Sequence, residues 1–576
     1  LSKKAKGDDL ADLVRKHALI NAFKHEGKAD AKAVISRIMA DFPAARSRVG
    51  EVKELANRIV AEVNEISPDI QREMVERVAP EYLVETRRAE KKELPPLPEA
   101  VEGKVTTRLA PEPNGYIHLG NAMTFFFNYL YARRYLGKLW LRFEDTNPRK
   151  EKADYYNQIK EDILWLGVKW DREKSNSDDI EIFYDFANRL LVQRKAYICS
   201  CPLKKTRENR AAGKTCEHRD NTTEENLELW NRMLSNKFRE EEVVWRIKGD
   251  MESTNYVMRD PTLFRIVETP HALKGSKYIV WPTYDFAVAI EDSICGVTHV
   301  LRSNEFALRG ELQSYIRKLL GLRGPIIIEY SRFNFEGTPT GKRLIKPLID
   351  NGIVSGWDDI RLSTIKGVRR RGILPKTIEE FAVQVGITQA QPVFSWDLLL
   401  SLNRKILDPI AKRYFFVSNP VKLVVEDAPK LVVKLRHHPE RDLGYREVKT
   451  GDTFYIPRSD VPEVNTTIRL KDLYNVKIID VGDSEANSRF AGRDLVEDTS
   501  KVQWTTEEHI PVEVQVPDLI YIGDKINESS LTVVKGYGES ACRELEVDEH
   551  VQFERFGFCR IDQKRSDMIT ACFTHK

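Results

Sequence analysis

Thr107-Arg-Leu-Ala-Pro-Glu-Pro-Asn-Gly-Tyr-Ile-His-Leu-Gly-Asn-Ala122 is the stretch on which the fold turns. It opens in a strand-like run that starts at Lys104, passes through a Pro/Gly turn over residues 111–115, and enters a helix-like stretch over about 120–136. Leu139-Trp-Leu-Arg-Phe143 then reads as a second buried strand. Strand, helix, strand in this order is a βαβ unit and implies a parallel sheet. In such sheets ligands sit beyond the carboxyl ends of the strands, where helix N-termini offer free N–H groups to phosphates. His118 and Asn121 are polar groups on either side of Gly120, where the missing side chain lets a flat ligand approach. A lone His-x-Gly-Asn is more often a satisfied histidine at a helix start, so the rest of the chain has to decide.

Before this unit, from Asp8 to about Arg88, apolar residues recur at helical spacing: Leu10, Leu13, Val14; Val34, Ile35, Ile38, Met39; Leu55, Ile59, Val63, Ile66. Mixed charges fill the other faces, the pattern of an amphipathic helical bundle. Glu93-Leu-Pro-Pro-Leu-Pro98 breaks the helix and marks a domain boundary. After the βαβ unit, residues 155–198 read as helical and 199–275 as irregular. Sheet and helix alternate again from Tyr278-Ile-Val-Trp281, through 297–301, to 326–330. Residues 355–415 read as helix and turn. Beyond Val421 the period becomes two, with Val421, Leu423, Val425; Leu431, Val433, Leu435; and Val512, Val514, Val516, so the last 155 or so residues are expected to be all-β.

Composition bounds the class. The 576 residues correspond to about four domains at roughly 150 residues each. Ninety-one basic and 88 acidic residues leave a net charge of +3, although 31% of the chain is charged. Hydrophobic residues at 41% suffice for several cores, which excludes collagen-like and disordered chains. No apolar run approaches the ~18 residues of a bilayer span. Residues 1–16 mix both charges and lack the apolar core of a signal peptide. The chain starts at Leu1 rather than Met, so a few native residues are expected to precede it. Seven irregularly spaced cysteines point to a reducing compartment rather than a disulfide scaffold. The expectation is a cytoplasmic, multidomain protein without membrane contact.

Cys199-Ser-Cys201 and Cys216-Glu-His218 form a C-x-C…C-x-H set. Three sulfurs and an imidazole suit a tetrahedral structural Zn²⁺ in a small irregular domain, against the alternative of reduced, unliganded thiols beside a surface histidine.

The string from Ala110 to Ala122 resembles the His-Ile-Gly-His signature of class I aminoacyl-tRNA synthetases, and its wider form looks like the glutamyl and glutaminyl branch. Similar strings follow in order: Leu141-Arg-Phe-Glu-Asp-Thr-Asn-Pro148, Met258-Arg-Asp-Pro261, Pro282-Thr-Tyr-Asp-Phe286, Gly296-Val-Thr-His-Val-Leu-Arg302, Gly367-Val-Arg-Arg-Arg-Gly372 and Val551-Gln-Phe-Glu-Arg-Phe-Gly557. They cover about residues 95–576, and the region before Pro95 looks like the appended domain of archaeal-type glutamyl members. The resemblance implies a multidomain fold. An N-terminal α-helical domain (1–94) precedes a Rossmann-like α/β catalytic domain in two halves (95–198 and 276–335), split by an inserted acceptor-stem-binding domain (199–275) that carries the cysteine cluster. A signature loop and helical stem (336–415) and two β-barrel anticodon-binding domains (416–576) complete it.

It also implies the chemistry. ATP, accompanied by Mg²⁺, and L-glutamate form glutamyl-adenylate, and the acyl group passes to tRNA(Glu), with release of AMP and pyrophosphate. Members of this type often charge tRNA(Gln) with glutamate as well, and a monomer is expected. Pro111, His118, Gly120 and Asn121 would meet ATP, with His118 and Asn121 at the phosphates where charge builds. The second class I signature, usually Lys-Met-Ser-Lys-Ser, corresponds to Gly337-Thr-Pro-Thr-Gly-Lys-Arg-Leu-Ile-Lys346. Thr340-Gly341 departs from that pattern, while Lys342 and Arg343 match its basic positions, so Lys342 is expected to be catalytic. Arg108, Ala110, Glu112, Glu144 and Tyr284 would line the amino-acid site, with Glu144 receiving the α-amino group. Arg302 stands where glutamyl enzymes carry arginine and glutaminyl enzymes a small uncharged residue. A guanidinium fork reads a carboxylate far better than an amide, which favours glutamate; the bland reading of Arg302 is a salt bridge to Glu305 or Asp292. Lys366, Arg369, Arg370 and Arg371 form a basic run that such a scaffold would set against tRNA phosphates. The rivals are a glutaminyl-tRNA synthetase and a catalytically silent tRNA-binding paralogue.

Overall fold

A computed structural model describes residues 7–24, 27–41, 48–79, 93–390, 392–496 and 499–576. The chain divides into two compact units, residues 1–93 and 94–576.

The first unit contains four described helices: α1 (Gly7–Lys24), α2 (Ala31–Asp41), α3 (Val49–Asn64) and α4 (Pro68–Val78). Leu10, Val14, Val34, Ile38, Ile59 and Val63 form its core, while Leu13, Ile35, Met39 and Leu55 pack at its margin. Polar ties close the turns. The Gln71 amide is buried and donates to the carbonyls of Gly27, Val63 and Ile66, satisfying acceptors that chain reversal exposes. The expected helical pattern over residues 80–88 lies outside the described residues.

In the second unit, β1 (Thr106–Leu109), α5 (Leu119–Arg134) and β2 (Lys138–Phe143) form the expected βαβ unit, with β1 and β2 parallel. After α6 (Ala153–Trp165), a third parallel strand, β3 (Arg172–Ser175), extends this sheet. It falls where the sequence reads as helix. Arg-Glu-Lys-Ser carries no apolar period, and as an edge strand it buries only its last residue. Helix α7 (Ile180–Val192) follows.

The inserted region is built on an antiparallel sheet of β4 (Ala196–Cys199), β5 (Val244–Ile247), β6 (Thr262–Ile266) and β7 (Val280–Pro282). The return strand β7, expected to rejoin the catalytic sheet, pairs with β6 instead. Helices α8 (Leu203–Ala211) and α9 (Thr223–Leu234) lie within this region, and α10 (Tyr284–Ile294) leads out of it. The parallel pair β8 (His299–Ser303) and β9 (Ile326–Tyr330), bridged by α11 (Ala307–Leu320), returns the chain to the α/β core. The Thr298 N–H donates to the Thr106 carbonyl at 2.9 Å, which sets β8 beside β1.

Helices α12 (Lys342–Asp350), α13 (Ile365–Arg371), α14 (Pro375–Val385) and α15 (Trp396–Leu407) make up the stem region. Two seven-stranded sheets then form the region beyond residue 411, as the period-two pattern predicts. They interlace in sequence: strands Lys412–Tyr414 and Phe416–Ser418 precede the first sheet yet occupy the two ends of the second. The second sheet docks on the stem, where Asn403 contacts His575 at 3.2 Å and Thr574 donates to the Arg371 carbonyl at 2.7 Å. Among the described residues no helix is long and apolar enough to cross a membrane.

Candidate functional site

The turn after β1 is held at both ends. His118 caps α5: its Nδ1 accepts the Gly120 N–H at 3.1 Å, and Asn121 Oδ1 accepts the His118 N–H at 3.1 Å. With Nδ1 accepting, the ring proton is assigned to Nε2. Burial, helped by the nearby Arg332 cation, pushes His118 down to about 4, so near neutral pH it is a neutral donor. The turn rests on the segment before α13: Leu119 donates to Ser363 at 2.9 Å and Ile365 to Ile117 at 3.0 Å. Gly120 leaves the His118 ring room, since a Cβ there would lie 3.0 Å from it. His118, Gly120, Asn121, Arg332 and Thr340 share a small cavity of about 120 Å³. Arg332 is a cation that sequence reasoning missed; its only signal is its place two residues beyond the end of β9.

Lys342 reaches this turn from the other signature. Its Nζ donates to the Asn114 carbonyl at 2.8 Å and lies 5.2 Å from the Tyr155 ring centre. Burial and the neighbouring Lys152 lower its ammonium below the usual value. The glycine in the unusual Thr340-Gly341 pair has a geometric reason. Gly341 caps α12 with φ of 95°, in the left-handed region where a side chain is strained. Arg343 is exposed on the first turn of α12.

Ala110, Glu112, Glu144, Tyr284, Arg265 and Arg309 line a cleft of about 800 Å³ between the parallel sheet and the inserted region. Pro111 is buried, and its carbonyl accepts the Glu144 N–H at 3.0 Å. Arg142 binds Asp292 at 2.8 Å and Glu144 at 3.3 Å, and Arg108 binds Asp292 at 3.2 Å. Burial pushes Asp292 up, but Arg142 and Arg108 outweigh it and hold the carboxyl below its usual range. Glu144 has the opposite outcome. Burial raises it from 4.5 to about 7 despite Arg142 and Arg108. Burial and the Glu144 charge also raise the Tyr284 hydroxyl. The loop carrying Glu144 is pinned by Asp145, which accepts from Ser177 N, Ser177 Oγ and Tyr156 OH at 2.7–2.8 Å, and by His271, 3.0 Å from Glu151.

Arg302 is not on the cleft wall. It is buried, donating from Nη1 to Gln313 Oε1 at 2.8 Å and from Nε and Nη2 to Glu329 Oε1 at 3.3 and 3.1 Å. Its partners are therefore neither Glu305, which pairs with Arg332, nor Asp292. Its charge is felt at Tyr284 and Asp285.

The raised Glu144 value fixes a pH dependence. Between 4.5 and about 7 the folded chain holds a proton that the unfolded chain has released, so stability falls as pH rises through that window. The charged form costs up to about 3 kcal/mol above it. Glu144→Gln is thus expected to melt higher than the parent at pH 8 by thermal denaturation, with the gain vanishing towards pH 4. A lower melting point at pH 8 would show that the carboxylate stabilises the fold.

Cys199, Cys201, Cys216 and His218 bring their ligand atoms within 4.8 Å of one another. Cys199 Sγ and Cys216 Sγ are 3.7 Å apart, and Cys201 Sγ is 3.4 Å from His218 Nδ1. Sulfurs about 2.3 Å from a tetrahedral zinc would be ~3.8 Å apart, so this donor set fits the ion. Arg246 Nη1 points at both Cys199 and Cys216 at 3.8 Å, a cation suited to thiolate charge.

The basic run is divided by burial. Lys366 lies 5.0 Å from the Tyr116 ring and Arg369 is exposed beside Trp165. Arg370 binds Asp562 of the second C-terminal sheet at 2.8 Å, and Arg371 is buried over Trp396.

The family model described as tRNA synthetases class I (E and Q), catalytic domain, matches residues 104–409. Two models of the family's anti-codon binding domain match 411–491 and 501–562. The chain is 41% identical to a glutamate–tRNA ligase from Pyrococcus furiosus, covering 99% of this chain and 100% of that protein. Glutamate–tRNA ligases from Thermococcus kodakarensis and Nitrosopumilus maritimus are each 40% identical with the same coverage.

Proposed function

This chain belongs to the class I glutamyl and glutaminyl tRNA synthetases, and from that premise we propose how its residues ligate glutamate to tRNA. The observation that carries the activity is agreement with archaeal glutamate–tRNA ligases at about 40% identity along the whole length. ATP is a substrate, and glutamyl-adenylate is the intermediate from which tRNA(Glu) takes the acyl group. Mg²⁺ would enter on the ATP phosphates.

His118 Nε2 and the Asn121 amide at the start of α5, and the Lys342 ammonium at the preceding turn, are the donors assigned to phosphate oxygens. Donors fixed before charge develops stabilise it without reorganisation, which is where most of the rate comes from. The low pKa of His118 keeps it a hydrogen-bond donor rather than a titrating cation across neutral pH. Arg332 lines the same cavity beside Glu305, with which it is paired at 3.3 Å. Glu144 takes the substrate ammonium, and that cation replaces the proton the buried carboxyl otherwise favours. The γ-carboxylate goes to Arg302, which lies off the cleft wall and is bonded to Gln313 and Glu329, while Tyr284 lines the cleft itself. Supporting this assignment, the electrostatic influence of Glu144, Arg108 and Arg302 meets at Tyr284.

For tRNA, Lys366 and Arg369 are the members of the basic run offered to phosphates, while Arg370 and Arg371 tie the stem to the barrels. Structural Zn²⁺ would be held by Cys199, Cys201, Cys216 and His218, fixing the start of the inserted region. We read the enzyme as a monomer acting in the cytoplasm.

Charging of total tRNA with labelled glutamate or glutamine tests the activity. Glutamate transfer is expected; glutamine transfer would indicate the glutaminyl rival, and tRNA binding without either would indicate the silent paralogue. The same assay on purified tRNA(Gln) identifies any second acceptor. Metal analysis should find about one zinc per chain, lost in Cys216→Ser; under half an equivalent in the parent would show that the cluster holds no structural zinc.

A further inference from the structure

Arg302 and Glu329 are register partners on the adjacent parallel strands β8 and β9, so their side chains leave the same face of the sheet. Three groups surround the guanidinium, and they differ in burial and in their other bonds. Gln313 is buried, and its orientation is locked because its Nε2 donates to Asp285 Oδ1 at 3.2 Å, leaving Oε1 for Arg302. Gly310 gives way only by lacking a side chain: a Cβ there would stand 2.9 Å from Arg302 Nη2. Glu329 is the member that reaches solvent. Its side chain is 24% exposed, and a single oxygen, Oε1, takes both bonds from the Nε–Nη2 edge.

That edge is one a carboxylate engages in paired fashion. We propose that Glu329 is an internal competitor for the substrate γ-carboxylate: it occupies Arg302 in the empty enzyme and must swing towards solvent before glutamate is bound. The inference rests on the reading of Arg302 as the γ-carboxylate receptor. Its logic is electrostatic. An unpaired guanidinium this deeply buried is costly, so a built-in anion keeps the empty site neutral. Gln313, neutral, buried and tied to Asp285, holds the fork in position through the exchange. Apparent affinity is reduced by the fraction of molecules in which the receptor is free. If Glu329 holds Arg302 for about 70–90% of the time, glutamate binds about three- to tenfold more weakly than the bare receptor would allow.

The test is steady-state aminoacylation by the full-length protein with saturating ATP and tRNA, on Glu329→Gln, Glu329→Ala and Arg302→Ala. The competitor role predicts that both Glu329 variants lower KM for glutamate by about three- to tenfold with kcat unchanged. If Arg302→Ala cripples glutamate use while the Glu329 variants leave KM unchanged or raise it, the competitor role is overturned and Glu329 is a positioning residue. If Arg302→Ala leaves glutamate KM intact, the reading of Arg302 itself fails. Thermal melts check that each variant is folded, and the partial exposure of Glu329 makes its replacement tolerable.

Discussion

Arg302→Ala is expected to lower kcat/KM for glutamate by about 10²–10³-fold while tRNA affinity changes by less than about twofold. Truncating one member of a buried, hydrogen-bonded charge pair costs about 2–5 kcal/mol, most of it the penalty for the charge left behind. Here two charges are left: the substrate carboxylate, and Glu329 when the site is empty. Gln313 would also lose the donor that satisfies its Oε1. Arg302→Lys should recover only part of the loss, since an ammonium keeps the charge but not the planar fork. Aminoacylation kinetics and filter retention of tRNA provide the two readouts. Parallel loss of both would mean that Arg302 maintains the fold rather than reads the substrate.

The second large effect belongs to Lys342. Lys342→Ala is expected to reduce kcat by about 10²–10³-fold, the scale for removing one preorganised donor from a developing oxyanion, with a smaller change in KM for ATP. The side chain is half-buried and its polar contact is one carbonyl, so stability should move little. A single-turnover assay of transfer to tRNA separates chemistry from binding. A variant retaining kcat within about threefold would place Lys342 outside the reacting centre.

Local features were legible in the sequence, and long-range pairings were not. The turn after β1, the helix starting at Leu119 and the alternating strands beyond Val421 follow from spacing and turn chemistry over a few residues. The C-x-C…C-x-H set announces its own geometry, because two short ligand pairs need only one fold-back to meet. Edge strand β3 escaped because Arg-Glu-Lys-Ser has no apolar face to reveal it. Strand β7 escaped because Val280–Pro282 looks alike whichever sheet it joins. The partner of Arg302 is the sharpest case. Glu305 and Asp292 are its sequence neighbours, yet Glu329 is bonded to it, through a strand register that no local pattern encodes. In the same way the four basic residues over 366–371 read alike, and only packing separates exposed Arg369 from Arg370, engaged with Asp562, and Arg371, buried over Trp396.

The interlaced C-terminal sheets bear on how the chain is made. Strand Lys412–Tyr414 emerges from the ribosome roughly 140 residues before its partner at Val551–Phe553, and such distant pairings are slow to form. During that interval the first sheet can close, whereas the second must wait with two orphan strands exposed. The strand at Ile569–His575, which lies inside the second sheet and touches the stem, appears later still. A nascent chain interrupted there would carry a finished catalytic half beside an open β edge, the kind of surface that holdase chaperones cover and proteases find.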